Sequence, residues 1–218
     1  MSKEHPNHPM PEPAAHIRFC SFVLLALGSA ALCGCGSEPV WKSQSFAFAL
    51  PADPPATGSK TNVVALRRVT ISPLFQSRSF TYRTAENTYE HDPYAGFFVP
   101  PGRALEQPIC AWLRAGGAFG CVLEPGSGLN PSLVAEVWVN ALYGDFRKAA
   151  QPAGALEIHF MLYELNRDGT GRVLMDKVCA SRTPMARAAP AALAAAWDAD
   201  LRAIMAEINS ELKRLPLN

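Results

Sequence analysis

The chain has 218 residues, of which 49% are hydrophobic and 18% are charged, a composition typical of a globular protein and too apolar for a disordered one. The chain has 20 Lys and Arg residues and 19 Asp and Glu residues, so the net charge is +1. A chain so nearly balanced offers no electrostatic footprint for nucleic acid, and we predict no nucleic-acid partner.

An apolar run at residues 19–34 is the first element of the chain. It is shorter than the roughly 20 apolar residues that a transmembrane helix needs, and it matches the hydrophobic region of a secretory signal peptide. The run leads into the letters LCGC, whose last cysteine is Cys35. An aliphatic residue at position −3 and a small residue at −1 form the lipobox of bacterial lipoproteins. We therefore predict a signal peptide over residues 1–34 and lipidation of Cys35.

The residue after Cys35 bears on where the protein resides. It is Gly36 and not aspartate, which by the bacterial sorting convention favours the outer membrane. We predict a protein that is anchored to that membrane by acyl chains, with its domain facing the periplasm. An ordinary secretory signal and a short membrane anchor, either with incidental cysteines, are the alternatives. Translation starts at Met1 or Met10.

The residues behind the anchor divide into two parts. Residues 35–60 are rich in Pro, Ser and Ala, which predicts a flexible tether with one short strand at 46–50. Residues 61–215 show regular hydrophobic periodicity, which predicts one folded domain.

Alternating apolar residues and turn signals predict the strands of this domain. They fall, in chain order, at residues 61–71, 77–84, 87–91, 97–99, 118–123, 133–147, 155–165 and 172–181. The letters NRDGTG at 166–171 are a strong hairpin signal, because Asp-Gly supplies the positive-φ positions of such a turn.

Two helices are predicted. The first covers about residues 103–115 and stops at Gly116-Gly117, with Pro108 requiring either a late start or a kink. The second carries an apolar stripe at spacings of three and four. The stripe consists of Leu193, Trp197, Leu201, Ile204, Ile208, Leu212 and Leu215. The fold class predicted is α+β, a mostly antiparallel sheet packed by two helices.

Three cysteines remain in the mature chain: Cys110, Cys121 and Cys179. The periplasm permits disulfides, but an odd count leaves at least one thiol free. If one bridge forms, we expect it between Cys110 and Cys121.

Residues with catalytic or metal-binding chemistry are few. Glu90-His91-Asp92 is a compact cluster, but neighbouring side chains in an extended segment alternate and cannot all face one ion. Gly126-Ser127-Gly128 lacks the strand and helix that flank a hydrolase nucleophile. We predict no catalytic residues, no metal and no cofactor.

Four residues are candidates for contacts with a partner or a lipid headgroup. Arg78, Tyr82 and Arg83 share one predicted strand, where a solvated strand face is the alternative. Trp138 lies beside Glu136 on the less apolar face of its strand, where aromatic residues act as interface anchors unless a helix covers them.

The order of these elements resembles the ABC-type transport auxiliary lipoprotein component family (PqiC/YmbA-like). The resemblance covers residues 63–212. It is carried by Arg78, Phe80, Tyr82 and Arg83 in SRSFTYR, by Tyr94 and Phe98 in DPYAGFFVPPGRAL, and by Trp112-Leu113.

This resemblance implies an accessory of envelope lipid transport, whose partners are an MCE-domain protein and the ATPase and permease subunits of an ABC transporter. The residues agree with it in one respect, because the chain has no ATP-binding P-loop and any energy must come from a partner. A lipoprotein that binds a lipid or small ligand, and an assembly lipoprotein of a secretion machine, remain alternatives. The oligomeric state, including a homo-oligomer, stays open.

Overall fold

The computed structural model describes residues 42–51, 61–166 and 170–217. Within these ranges the chain forms nine strands and two α-helices, which confirms the predicted α+β class. The predicted signal peptide and Cys35 lie outside the described residues.

The strands are β1 (Gln44–Phe46), β2 (Val63–Leu66), β3 (Thr70–Ile71), β4 (Ser79–Ala85), β5 (Thr88–Phe97), β6 (Cys121–Leu123), β7 (Leu133–Asp145), β8 (Ala153–Leu165) and β9 (Gly171–Ser181). The helices are α1 (Pro101–Gly116) and α2 (Pro190–Leu212), and a 3₁₀ turn covers Pro73–Phe75.

Strand β7 is the centre of the sheet. β8 pairs antiparallel with one edge of β7, whereas β2, β3 and β4 pair in succession along its other edge, all in parallel. β9 adds antiparallel to β8, and β5 adds antiparallel to β4. β6 and β1 pair in parallel with β2 and β5. The sheet is thus mixed: its long pairings are antiparallel, and short strands extend it in parallel.

The prediction of one strand over residues 61–71 was wrong, because this segment divides into β2 and β3. Leu66 aligns with Ala135 of β7, and Thr70 aligns with Trp138. The step between these two pairings is four residues in the 61–71 segment but three residues in β7, so the segment contains one extra residue. An extra residue in one strand interrupts the ladder as a bulge does. The sequence shows only the β-branched run, not this change of register.

The short strand expected at residues 46–50 lies instead at Gln44–Phe46. It pairs with the end of β5, and the Phe48 side chain that follows is buried and stacks on Phe97 with ring centroids 5.5 Å apart. Residues 44–48 of the predicted tether therefore contribute to the sheet and the core.

Helix α1 begins with a proline and ends at a glycine. Pro101 occupies its first turn, where the missing N–H costs nothing, and Gly117 ends it with φ 67°. Pro108 lies within the helix and is buried. The alternative that the helix begins after Pro108 was therefore wrong. The free energy gained by burying Pro108 outweighs the cost of the backbone hydrogen bond that a proline removes from a helix.

Helix α2 confirms the predicted stripe, since Leu193 through Leu212 of that set are buried and Leu215 packs against the core just beyond the helix. Trp197 lies at its centre. Its ring contacts Phe80 edge-on at 4.8 Å and stacks on Phe97 at 5.4 Å, and its Nε1 donates to the Tyr143 carbonyl at 3.2 Å. Aromatic side chains thus fill the space between α2 and the sheet.

The predicted hairpin between β8 and β9 is confirmed at its flanks. Leu165 pairs with Gly171, and the Asn166 N–H donates to the Thr170 carbonyl at 2.8 Å. The Asp-Gly turn itself lies outside the described residues.

A buried carboxyl group ties α2 to the segment after β9. Asp200 is 0% exposed, and its Oδ1 accepts hydrogen bonds from the hydroxyls of Ser181 at 2.8 Å and Thr183 at 2.7 Å. Its Oδ2 has no hydrogen-bond partner in the described part of the chain. Burial raises the pKa of Asp200, so folding favours the protonated carboxyl group.

We expect the Asp200→Asn substitution to raise the melting temperature by a few degrees at pH 7, because it removes a buried charge and keeps the side-chain size. A carboxyl group whose pKa is raised in the folded state stabilises the fold most below its unfolded pKa, and this contribution is lost as pH rises through the folded pKa. The gain should therefore shrink at pH 4. Thermal unfolding at both pH values measures it, and a lower melting temperature of the variant at pH 7 would contradict the prediction.

Candidate functional site

The two faces of the β7–β8–β9 sheet differ in polarity. Alternate residues of β7, such as Val137 and Val139, are buried in the core that α2 shares. Their neighbours Glu136 and Trp138 are half-buried and Asn140 is exposed, on the opposite face. Because strand side chains alternate, one face of the sheet packs the core and the other carries polar and aromatic groups.

Trp138 lies in a row that crosses three strands. It is paired with His159 of β8, which is paired with Val178 of β9. The Trp138 and His159 rings are 5.0 Å apart at 30°, and His159 Nε2 contacts the Asp176 carboxylate. The indole is therefore supported from one side by an aromatic contact.

A polar network lies beside this row. Arg67 forms an ion pair with Glu136 at 2.8 Å, and the Tyr163 hydroxyl donates to the same carboxylate at 2.7 Å. The Arg67 guanidinium also lies 5.7 Å from the centroid of the Tyr163 ring. Burial and the bond to Glu136 raise the pKa of Tyr163 to about 12, so this hydroxyl keeps its proton. We call the six side chains Arg67, Glu136, Trp138, His159, Tyr163 and Asp176 the Trp138 platform.

An open groove of about 760 Å³ adjoins the platform. The loop at residues 124–131 forms one wall and places Leu129 there with 66% of its surface exposed. Arg67, Arg68, Arg103 and Trp138 line the groove together with Glu124 and Glu136. The groove combines an exposed apolar side chain, an indole and charges of both signs, since Arg67 pairs with Glu136 and Arg103 with Glu106. Such a lining suits a peptide segment that carries apolar and charged residues.

The structure separates the four predicted contact residues. Tyr82 and Arg83 pair with Gly144 and Asp145 of β7, and Trp138 lies six residues before Gly144. At about 3.3 Å per residue, six residues span roughly 20 Å. Tyr82 and Arg83 thus do not form one site with Trp138, and Arg78 lines a different groove from Trp138.

Tyr82 and Arg83 are also engaged within the protein. The Tyr82 hydroxyl donates to Asp92, and its ring stacks on Phe146 at 4.7 Å. Burial, with the bond to Asp92, raises the pKa of Tyr82 above its usual range. Arg83 forms an ion pair with Glu86 at 3.1 Å and lies 5.8 Å from the ring centroid of Tyr89. These contacts give both side chains partners within the protein, so neither is a freely solvated residue of the strand face.

Arg78 differs from its two neighbours because it is exposed. Its Nε donates to the Phe97 carbonyl at 3.1 Å, and its side chain lines a shallow groove of about 210 Å³ together with Tyr94. It therefore remains a candidate for contact with an external anion.

Cys110, Cys121 and Cys179 all lie in the described part of the chain, and all are free thiols. The expected Cys110–Cys121 bridge is not formed, because Cys110 faces the core from α1 whereas Cys121 is exposed at the start of β6. Burial raises the pKa of Cys110 to about 12 and that of Cys179 to about 11, so both thiols stay protonated and unreactive.

The Glu90-His91-Asp92 side chains use different partners. Glu90 accepts from Thr84 at 3.0 Å, His91 contacts Thr81 at 3.3 Å, and Asp92 accepts from the Tyr82 hydroxyl. Among the residues with described positions, no group of three or more His, Cys, Asp or Glu side chains is arranged to hold a metal ion.

Sequence reasoning missed the groove and most of the platform. Trp138 is the one platform residue that the sequence analysis predicts as a contact. The alternation in β7 and β8 does place Glu136, His159 and Tyr163 on the less apolar face of their strands. Arg67 carries no such signal, since it reaches Glu136 only through the parallel pairing of β2 with β7.

None of the helices in the described ranges has the length and apolar character to cross a bilayer.

Comparisons with solved structures show which known proteins share this fold. No family model matches the chain, and no curated protein matches it. Among solved structures, the Xanthomonas campestris protein XCC0632, of the DUF330 family, is similar with a TM-score of 0.62 at 18% identity, over 78% of this chain and 95% of its own. A second, uncharacterised protein is similar with a TM-score of 0.59 at 12% identity, over 79% of this chain and 97% of its own. At these identities the likeness shows a shared fold: this chain has the fold of a DUF330 protein.

Proposed function

We propose that this protein is a lipid-anchored, non-enzymatic accessory of an ABC- and MCE-type lipid transport system of the bacterial envelope. It is attached to the outer membrane through Cys35, and its domain faces the periplasm. The observation that carries the proposal is the position of a DUF330-type fold directly behind a lipobox. The fold likeness covers nearly all of XCC0632, so the shared part is the whole domain and not a fragment.

The Trp138 platform and the groove beside it are the proposed docking surface for the MCE-domain protein. Indole side chains are frequent energetic anchors in interfaces, particularly where neighbours hold them in place before binding. His159 supports the Trp138 ring, and the Arg67–Glu136–Tyr163 network fixes the adjoining side chains. Such a surface binds without the entropic cost of ordering these groups.

The packing of the core favours docking over the alternative of an acyl chain held between sheet and helix. Phe80 and Trp197 are at most 1% exposed and in edge-on contact between α2 and the sheet. An acyl chain in that space would have to displace them, and protein cores resist added volume.

The test is affinity isolation of the tagged full-length lipoprotein from its own membranes, with MCE and ABC subunits quantified by mass spectrometry. We expect Trp138→Ala to weaken binding by about 2 kcal/mol, roughly thirtyfold in Kd, because it removes an interface anchor from a preformed surface. Leu74→Ala is the matched control, since Leu74 is a large apolar side chain 48% exposed in the 3₁₀ turn.

The outcomes distinguish a failure of the proposed transport role from a failure of the proposed docking surface. If the unsubstituted protein recovers neither an MCE protein nor an ABC subunit, the proposed function is wrong, and recovery of secretion components would support the assembly-lipoprotein alternative. If both partners are recovered equally with Trp138→Ala, the function stands and the docking surface lies elsewhere.

A further inference from the structure

Four large apolar side chains are exposed in β5 and in the segments that follow β1 and β5. Phe98 is 69% exposed, the highest value among the large apolar side chains with described positions, and Leu50, Tyr94 and Val99 are 51%, 44% and 39% exposed. We call these four residues the β1–β5 patch.

The backbone holds this patch in place. Ala95 and Phe97 face the core, so the alternate residues Tyr94 and Phe98 point outward from β5 and its end. The Phe98 N–H donates to the Phe46 carbonyl at 2.8 Å, which joins the patch to β1. On the other side, the Ala49 N–H donates to Asp198 of α2 at 2.9 Å, just before Leu50.

Strand β1, which pairs with the end of β5, lies close along the chain to the proposed lipidation site. Lys42 follows Cys35 by seven residues, and β1 begins two residues later at Gln44, which pairs with Ala95 of β5. Gln44 therefore follows Cys35 by nine residues, which span at most about 32 Å even when fully extended. A lipid on Cys35 therefore keeps the β1 end of the domain within that distance of the bilayer.

Cationic groups accompany the apolar ones. Arg78 is exposed, its Nε donates to the Phe97 carbonyl, and it lines one groove with Tyr94. A guanidinium group in such a position can bind phosphate. Lys42 is exposed as well. The nearby Asp92 carboxylate is occupied by the Tyr82 hydroxyl and by the backbone N–H groups of Tyr94 and Ala95.

We infer that the β1–β5 patch is a second membrane contact, which inserts Phe98 and its apolar neighbours into the headgroup region of the bilayer that holds the acyl chains. This inference rests on the proposed lipidation of Cys35. Aromatic and cationic side chains are enriched at membrane interfaces, where rings enter the acyl boundary and guanidinium groups meet phosphates. A second contact next to the anchor orients the domain, and it leaves the Trp138 platform at a defined angle to the membrane.

The test uses the full-length lipidated protein with Phe98→Cys in a Cys121→Ser background, because Cys110 and Cys179 are buried and Cys35 carries lipid. A polarity-sensitive fluorophore on the introduced thiol at position 98 is read in vesicles of phosphatidylethanolamine and phosphatidylglycerol at about three to one, a mixture with anionic phosphates. We expect its emission to shift to shorter wavelength and to be quenched by spin-labelled lipids. Phe98 is so exposed that its replacement leaves the core intact.

The matched control is Ser210→Cys with the same label. Ser210 is exposed near the end of α2, twelve residues from Asp198, which is about 18 Å along the helix axis. We expect neither a shift nor quenching there. If the protein floats with the vesicles but position 98 is not quenched, or is quenched no more than position 210, the inference is overturned and the anchor stands. If the unsubstituted protein does not float with the vesicles, the anchor itself is contradicted and the inference falls with it.

Discussion

Replacing Cys35 with alanine is expected to abolish acylation and to move the protein from the membrane fraction to the soluble fraction. Acyl chains contribute about 0.8 kcal/mol for each buried CH₂ group, and two or more chains give stable attachment to a bilayer. Incorporation of radiolabelled palmitate and fractionation of the envelope measure both parts of this expectation.

The matched control is Cys33→Ala, which removes the neighbouring thiol and leaves Gly34 before Cys35. It should be acylated and fractionate as the unsubstituted protein does. Absence of palmitate from the unsubstituted protein, or an unchanged distribution of Cys35→Ala, would refute the lipoprotein proposal, whereas loss of label in Cys33→Ala would show that the other cysteine carries the lipid.

The Asp145→Asn substitution is expected to lower the free energy of unfolding by roughly 2–4 kcal/mol, since it removes the buried carboxylate on which two ion pairs depend. Asp145 is 1% exposed and binds Arg147 at 2.8 Å and Arg182 at 2.6 Å. Arg147 in turn binds Glu86, which also binds Arg83. The network joins the end of β7 to the β4–β5 turn and to the segment after β9. Both arginines reach solvent, which keeps the loss below that of two fully buried charges.

The pH dependence follows from the sign of the shift. The bond to Arg147 lowers the pKa of Asp145, so its ionised form stabilises the fold above the unfolded pKa of about 4, and this contribution is lost as pH falls towards the folded pKa. The difference between the two proteins should be full at pH 7 and smaller at pH 3.

Urea unfolding of the detergent-purified protein, followed by tryptophan fluorescence, measures this difference. Glu164→Gln is the control, because the Glu164–Arg172 pair is exposed and exposed pairs contribute less than about 1 kcal/mol. Equal losses for the two variants would contradict the assigned role of Asp145.

The parts of the fold that could be predicted are those with a local hydrophobic periodicity. The stripe from Leu193 to Leu212 predicted α2 because a spacing of three and four places those side chains on one helix face. The alternation in β7 and β8 and the turn after β8 predicted a long antiparallel pairing, since neighbours in sequence pair through short loops.

The parallel pairings could not be predicted, because they join segments far apart in the chain and leave no local pattern. β2, β3 and β4 all reach the same edge of β7, and only that arrangement brings Arg67 to Glu136 and separates Tyr82 from Trp138. The candidate groove could not be predicted from the sequence either, because its wall at residues 124–131 shows no hydrophobic periodicity.

The sequence by itself determined the α+β class and the polar-aromatic face on which Trp138 lies, and it predicts the lipobox, because each depends on spacings of a few residues. The tertiary structure alone decided which side chains surround Trp138, that Cys110 and Cys121 remain unbonded, and that the apolar residues of β5 reach the surface beside β1. The physical reason is that contacts across the sheet depend on strand order and register, which many distant residues set together.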